Sequence, residues 1–297
     1  MEIRTLRYFL TVAREENMTR AADILHVTQP TLSKAMKALE EELGKKLFIR
    51  HSFSIQLTQE GQLLRNRAED RVTMVDKIEK EFFSLGDIMG GDLYLGMAES
   101  YQIRHLARVI RALKNSCPGL QYHITSGDTE QVIEKLDKGL LDFAVICDPP
   151  DAKKYEYIAF PEGDTWGLVL PDDAPLSKKE TISIDDLIGI PLFTSRQGWE
   201  GDIKNWAGDR FAELTLEGSF RLAYNASLFV REGLGFQLTF EQLIDCSHGL
   251  TFRPLSPRLE ARLYLIWNRY QTFTPLAERF LQQVRINWTE CVPKAQA

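Results

Sequence analysis

Two amphipathic helical patterns separated by only His26 and Val27 constrain this chain more than any other feature of it. The first buries Ala21, Ala22 and Leu25. The second runs from Thr28 to Gly44 with Leu32, Met36, Leu39 and Leu43 on one face. So short a link forces the helices to cross steeply, as in a helix-turn-helix. Thr19 and Thr28 are the candidate N-caps, Pro30 falls in a first turn where its missing N–H costs nothing, and Gly44 ends the second helix. An earlier stripe of Leu6, Phe9, Leu10 and Ala13 supplies a further helix to pack on the pair.

With the apolar face committed to the core, Gln29, Thr31, Ser33, Lys34 and Lys37 remain outside at the start of the second helix. Side chains in that position reach base edges and phosphates when a helix lies in the major groove. A solvated helical face has a similar composition, but the tight turn and the preceding Ala-Ala helix favour DNA. The following KKLFIRHSFSIQLT alternates and suggests a two-stranded wing, with Lys45, Lys46 and Arg50 available for phosphates. The candidate DNA contacts are therefore Thr19, Arg20, Thr28, Gln29, Pro30, Thr31, Ser33, Lys34, Lys37 and Arg50.

Charge permits this reading without demanding it. The chain carries a net charge of −6, but residues 1–58 hold nine Lys and Arg against seven acids, so the excess acid lies beyond them. Exposed charges are screened beyond about 8 Å at physiological salt, so a local basic face can still meet phosphate.

From Thr58 to about Leu85 there is no proline, and Gly61 is the only glycine. Leu64, Ala68, Val75, Ile78, Phe82 and Leu85 fall on alternating four- and three-residue steps, interrupted by Arg71. That is a heptad register on a helix about 40 Å long, and so narrow a stripe is best buried against a second copy of the chain. Gly90 and Gly91 read as a hinge.

Beyond the hinge, strands (LYLGM, LQYHIT, FAVI) alternate with helices (IRHLARVIRALKNS, TEQVIEKLDKG). The theme repeats with TWGLVL, an IDDLI helix, PLFT, a helix near Trp199–Asp209, LEGSFRLA, an SLFVREGLG helix and FQLTF. LTFRPL, ARLYLIW and a helix from Pro275 to Val284 close the chain. Strands separated by helices predict mostly parallel sheets, and their number calls for two α/β subdomains with a cleft between them.

At 297 residues, 44% hydrophobic and 26% charged, the composition is that of an ordinary soluble globular protein of two or three folding units. No stretch resembles a secretory signal or a membrane span, and a cytoplasmic location is expected. Cys117, Cys147, Cys246 and Cys291 lie far apart and read as reduced thiols. His26, His51, His105, His123 and His248 are scattered, and the sequence holds no H-E-x-x-H, G-x-S-x-G, P-loop or complete G-x-G-x-x-G. Neither an enzyme nor a cofactor is expected. A stand-alone solute-binding protein needs no helix-turn-helix, and a nonspecific architectural DNA binder predicts a basic chain throughout.

The run AADILHVTQPTLSKAMKALEEELGKKLFIR closely resembles the DNA-binding domain of LysR-type transcriptional regulators, through Ala21, Ala22, Leu25, Val27, Thr28, Gln29, Pro30, Ser33, Leu39, Glu40, Leu43, Gly44, Leu47, Phe48 and Arg50, then Leu57, Thr58 and Gly61. More loosely, LYLGM, FAVI, EGLGF and PLAERFLQQVR resemble the family's sensor half. The resemblance implies an α+β multidomain chain: a winged helix-turn-helix over residues 1–58, a dimerisation linker helix over 59–89, and a periplasmic-binding-protein-like sensor over 90–297. The sensor would comprise two Rossmann-like subdomains, I from about 92–161 with 267–297 and II from about 162–266. It further implies a small co-inducer in the cleft, a dimer or tetramer on double-stranded promoter DNA, and contact with RNA polymerase. Two departures stand out: the wing tip HSFSIQ lacks the family's basic and glycine residues, and FQLTFEQ lacks the proline common after that strand.

In doubly wound sheets, ligands sit outside the carboxyl ends of strands against helix N-termini. This places Ser100, Tyr101, Gln102, Thr129, Cys147, Thr194, Arg196, Asn225 and Ser227 as candidate effector contacts, although each position also suits a cap or turn. Arg196, able to hold a carboxylate bidentately, points to a small organic acid. A redox role for Cys147 is the lesser alternative to packing.

Overall fold

The structure, a computed structural model, describes residues 1–51, 54–84 and 90–289, apart from the side chains of Arg50, Ser84 and Thr289. The chain forms two compact units, Met1–Phe83 and Ser84–Ala297.

The first unit contains α1 (Ile3–Glu15), α2 (Met18–Ile24), α3 (Gln29–Leu43), β1 (Phe48–Arg50), β2 (Ile55–Leu57) and α4 (Gln59–Ser84). Phe9, Val12, Ala21, Leu32, Met36 and Leu39 are fully buried in its core, as the helical stripes predict. Leu43 is not among them; it is exposed at the last turn of α3, where the helix has passed beyond the bundle. Thr19 does not cap α2. Asn17 does, its side chain accepting from the amides of Thr19 and Arg20. Thr28 caps α3 and Gly44 closes it in the left-handed region (φ 64°).

The wing is a two-stranded antiparallel ribbon pairing Phe48 with Leu57. Its tip residues Ser52 and Phe53, and the heptad residue Leu85, lie outside the described residues. Two devices fix the wing to the bundle. The buried Glu40 carboxylate accepts from the amides of Leu47 (2.9 Å) and Phe48 (3.3 Å) and pairs with Lys46. Thr58 caps α4 by accepting from Gly61, while a Cβ at Gly61 would stand 2.2 Å from the Leu47 carbonyl oxygen, so glycine is required there.

On α4, Ala68 is buried, and Arg7 of α1 pairs with Asp76 and Glu79. Towards its end the heptad residues emerge: Ile78 is exposed, as are Phe82 (72%) and its neighbour Phe83 (89%).

The second unit begins with β3 (Gly90–Met97), so Gly90 and Gly91 are not a hinge; they pair in parallel with Gly119 and Leu120. A 3-10 turn (Tyr101–Ile103), α5 (Arg104–Ser116), β4 (Gly119–Ser126), α6 (Thr129–Asp137), β5 (Phe143–Ile146) and β6 (Tyr155–Ala159) follow, the last not foreseen. Then come β7 (Asp164–Pro171), α7 (Ile184–Leu187), β8 (Pro191–Ser195) and α8 (Arg196–Gly198). The helix expected near Trp199–Asp209 is instead a π turn (Trp199–Ile203), α9 (Lys204–Ala207) and a 3-10 segment (Gly208–Glu213). Gly201 and Gly208, poor helix residues, fall where the winding changes. Next are β9 (Thr215–Phe220) and α10 (Ala223–Arg231), the latter claiming the end of LEGSFRLA. The chain finishes with β10 (Phe236–Phe240), β11 (Leu250–Pro254), β12 (Glu260–Ala261), β13 (Tyr264–Asn268) and α11 (Pro275–Thr289).

Two sheets result, in the orders β4-β3-β5-β13-β6 and β11-β7-β10-β8-β9, with β12 beside β7. They are mixed rather than parallel. β13 runs antiparallel to β5 and β6, and β7 antiparallel to β10 and β11. The reason lies at the chain crossings: β7 and β13 arrive from the other sheet, so no βαβ crossover dictates their direction. The return to the first sheet falls between Ala261 and Tyr264. Helices cover both faces of that sheet, α5 and α11 through Leu106, Val109, Phe280 and Val284, α6 through Val132 and Leu136.

Candidate nucleic-acid interface and ligand cleft

At the start of α3, Gln29, Pro30, Thr31, Lys34 and Lys37 are exposed and Ser33 is half-buried, as the stripe of Leu32, Met36 and Leu39 requires. Thr28 and Thr31 share a hydroxyl hydrogen bond at 2.8 Å, which ties up part of their donor capacity. Lys37 lies 3.6 Å from Glu41, whereas Lys34 makes no ion pair among the described residues. Thr19 and Arg20 are exposed on α2, with Arg20 held by Glu15 at 2.8 Å. Arg50 lies in β1 and its side chain is outside the described set.

In the second unit, a cleft of about 420 Å³ opens at the carboxyl ends of β3, β4, β5, β8 and β9. That volume suits a small molecule. Two bonds cross it. Glu99, after β3, accepts from the Ala223 amide at the N-terminus of α10 (2.7 Å). Gln197, after β8, donates to Thr129 (2.8 Å) and Asp148 (2.6 Å) and accepts from the Thr129 amide. On one wall the indole of Trp166 donates to Asp202 (2.8 Å) and meets Phe240 edge-on at 4.5 Å. Gly198 lies so close to this ring that a Cβ would stand 2.5 Å from it.

Of the nine expected contacts, Cys147 and Arg196 line the cleft. Thr129 is one bond removed, through Gln197. The other six sit elsewhere. Ser100 and Gln102 are buried, the one capping the 3-10 turn and the other bonding to the Gly163 carbonyl. Tyr101 is exposed under the Arg104 guanidinium, 4.5 Å from its ring centre. Thr194 is wholly buried in β8, Asn225 is exposed on α10, and the Ser227 hydroxyl turns back to the Tyr224 carbonyl. Sequence spacing named the strand ends that border the cleft but not the residues on the inward side of each loop. Glu99, Glu130, Trp166, Asp202, Phe220, Arg221, Thr239 and Phe240 were missed; for Trp166 the signal was available, an aromatic at the start of the strand where the chain first changes sheets.

The electrostatics run against a guanidinium clamp. Five carboxylates (Glu99, Asp128, Glu130, Asp148 and Asp202) line the cleft, against Arg196 and Arg221. The Arg196 side chain is 83% exposed and lies 4.0 Å from Glu200. Burial raises the Asp202 carboxyl, the Trp166 bond pulls it down, and Asp148 raises it further; the net shift is upward. Burial, with Asp164, Asp148 and Asp202 nearby, pushes the Cys147 thiol far up and keeps it protonated. Among the described residues no group of three His, Cys, Asp or Glu side chains is placed to hold a metal ion.

A helix-turn-helix with a wing, carried in one chain with a two-sheet α/β unit whose cleft opens at strand ends, defines a class of protein, and the comparisons place it. Residues 3–62 match the bacterial regulatory helix-turn-helix protein, lysR family, and residues 88–288 match the LysR substrate binding domain. The chain belongs to the LysR family. It is 31% identical over 199 residues to the hydrogen peroxide-inducible genes activator of Pectobacterium carotovorum subsp. carotovorum, a match covering 67% of this chain and 65% of that relative, just under two thirds of its length. It is 24% identical over 295 residues to the HTH-type regulator YybE of Bacillus subtilis (strain 168), covering 98% of this chain and 100% of YybE. The crystal structure of full-length CbnR complexed with its target DNA shares the fold, with TM-score 0.76 and 21% identity over 97% of this chain and 100% of that one. No helix among the described residues is long and apolar enough to cross a membrane.

Proposed function

We propose that this chain is a sequence-specific DNA-binding transcriptional regulator of the LysR type, not an enzyme, and that a small molecule in the cleft controls it. The observation that carries the reading is the exposed polar start of α3: Gln29, Thr31 and Lys34 project from the first turns of a helix whose Leu32, Met36 and Leu39 are buried in the core. Gln29 and Thr31 would read base edges, and Lys34, Lys37 and the backbone around Pro30 would sit against phosphates, with Thr19, Arg20, Thr28, Ser33 and Arg50 flanking them. Arg20 and Lys37 would exchange their carboxylate partners for DNA.

Self-association is part of the proposal. Ile78, Phe82 and Phe83 leave an apolar run on α4 uncovered in the single chain, and pairing with a second copy would remove it from water. The working unit would be a dimer, or a dimer of dimers, on double-stranded promoter half-sites in the cytoplasm, in contact with RNA polymerase. The relatives, an activator of hydrogen peroxide-inducible genes and a regulator complexed with its target DNA, support the DNA-reading role. Peroxide sensing draws no support from Cys147, whose thiol is held protonated. The organic acid expected from Arg196 loses ground to the excess of carboxylates around it.

The test is fluorescence anisotropy with the chain's own upstream intergenic fragment against a scrambled competitor. Preference for its own fragment is expected; equal affinity at every salt concentration would refute the reading.

A further inference from the structure

Taking the cleft as the effector site, we propose that it receives an organic cation, an amine or amidine on an apolar body, with the charged head seated against Asp148 and Asp202. The sign of the charge comes first. The two lining guanidiniums are turned outward, with side chains 83% and 71% exposed, whereas Asp202 is partly enclosed. Neither Asp148 nor Asp202 has a Lys, Arg or His within 4.0 Å among the described residues. Their partners are neutral donors, the Gln197 amide at 2.6 Å and the Trp166 indole at 2.8 Å, which fix each carboxylate in place without cancelling it. Behind Cys147 a third carboxyl, Asp164, adds to the negative field.

An anion would also find few donors left. Glu99 already occupies the N-terminus of α10, Asp128 caps α6 by accepting from Gln131, and Ser195 caps α8 by accepting from Gly198. The helix ends that ordinarily greet a carboxylate or phosphate are filled by the protein's own oxygens. The remaining wall suits the other half of the ligand. Phe220 and the Trp166–Phe240 pair present aromatic surface, which attracts a cation and covers an apolar body. A divalent metal is the lesser fit, because hard cations need several convergent oxygens and no such cluster is present among the described residues.

The experiment is calorimetric titration of the full chain with three matched probes: cyclohexylamine, cyclohexanol and cyclohexanecarboxylate. Cyclohexylamine should bind about tenfold or more tightly than the carboxylate, and Asp148→Asn and Asp202→Asn should each weaken the amine by about tenfold while leaving cyclohexanol unchanged. Asp148 is exposed, so its variant keeps the test valid where Asp202→Asn disturbs Trp166. The proposal is overturned if the carboxylate binds more tightly, if both Asn variants bind the amine as well as the parent does, or if the amine does not bind. Carboxylate binding that disappears in Ala98→Trp would sink the charge assignment and leave the effector cleft standing. Loss of preference for the upstream fragment would sink the regulator reading and leave the ligand chemistry untouched.

Discussion

The Glu99 carboxylate accepts a 2.7 Å hydrogen bond from the Ala223 amide, across the cleft and at the first turn of α10. An ionised acceptor on a helix N-terminus combines a charge-assisted bond with the favourable end of the helix dipole. Because Ala223 is buried, Glu99→Ala leaves its N–H without a partner. That should destabilise the second unit by about 1–3 kcal/mol, with Glu99→Gln costing less because a neutral acceptor remains. Urea midpoints of the three proteins check this, and a glutamine midpoint equal to the parent's would show that the charge is immaterial.

Glu40 is the corresponding fixture in the first unit. Burial raises its carboxyl, but the amide bonds from Leu47 and Phe48 and the Lys46 partner outweigh that, so its pKa is lowered overall. A lowered folded value means the stabilisation is present above the ordinary carboxylate range and is lost as pH falls through the folded pKa. Glu40→Ala orphans two amides at the base of the wing and should cost about 2–4 kcal/mol. It should also flatten the acid limb of a pH–stability curve; an unchanged limb would contradict the assignment.

Asp164 has the opposite sign. Burial raises it to about 6, against the pull of Ser100, Gln102 and Arg104. It is 2% exposed, and neither carboxyl oxygen makes a well-formed hydrogen bond. The folded chain therefore keeps a proton that the unfolded chain releases, so stability falls as pH rises from about 3.8 to about 6 and is level above. The penalty at neutral pH is on the order of 3 kcal/mol. Asp164→Asn, with an amide able to donate to the unpaired Gln102 Oε1, should raise the urea midpoint at neutral pH and remove that slope. A variant less stable than the parent at neutral pH would refute it.

The Cys147 thiol is half-buried in the cleft wall, with Asp164, Asp148 and Asp202 nearby, and its thiolate is scarce. Iodoacetamide should leave it unmodified in the folded chain and alkylate it on unfolding, as read by peptide mass spectrometry. Rapid labelling of the native chain would reopen a redox role.

What was legible in the sequence was whatever local periodicity decides. The α3 stripe put Leu32, Met36 and Leu39 inside and Gln29 and Lys34 outside, and the apolar runs FAVI and FQLTF are β5 and β10 residue for residue. Caps were harder, since Asn17 and Thr19 both suit the start of α2 and only the three-dimensional path of the turn selects one. β6 was missed because it is an edge strand whose outward Glu156 and Tyr157 blur the alternation. The cleft was the least legible. Asp202 and Trp166 are 36 positions apart, and their meeting depends on how the π turn after α8 folds back over β7. The charge of the cleft was misjudged for the same reason: Arg196 is visible in a strand-end motif, whereas the carboxylates that outnumber it come from both sheets.

Gln29 and Lys34 occupy the same exposed edge of α3, yet their substitution should have different consequences. A lysine with no ion-pair partner among the described residues, meeting one phosphate, contributes through counterion release, which is indifferent to sequence. Lys34→Ala should weaken binding to every fragment alike and reduce the slope of log affinity against log salt by about one unit. Gln29 carries no charge, so its alanine variant should leave the slope alone and lose discrimination, by about 1–3 kcal/mol at the base pair it reads. Anisotropy titrations of both variants on the upstream and scrambled fragments, across a salt series, separate the two effects. Equal loss on both fragments for Gln29→Ala would remove base reading from that position.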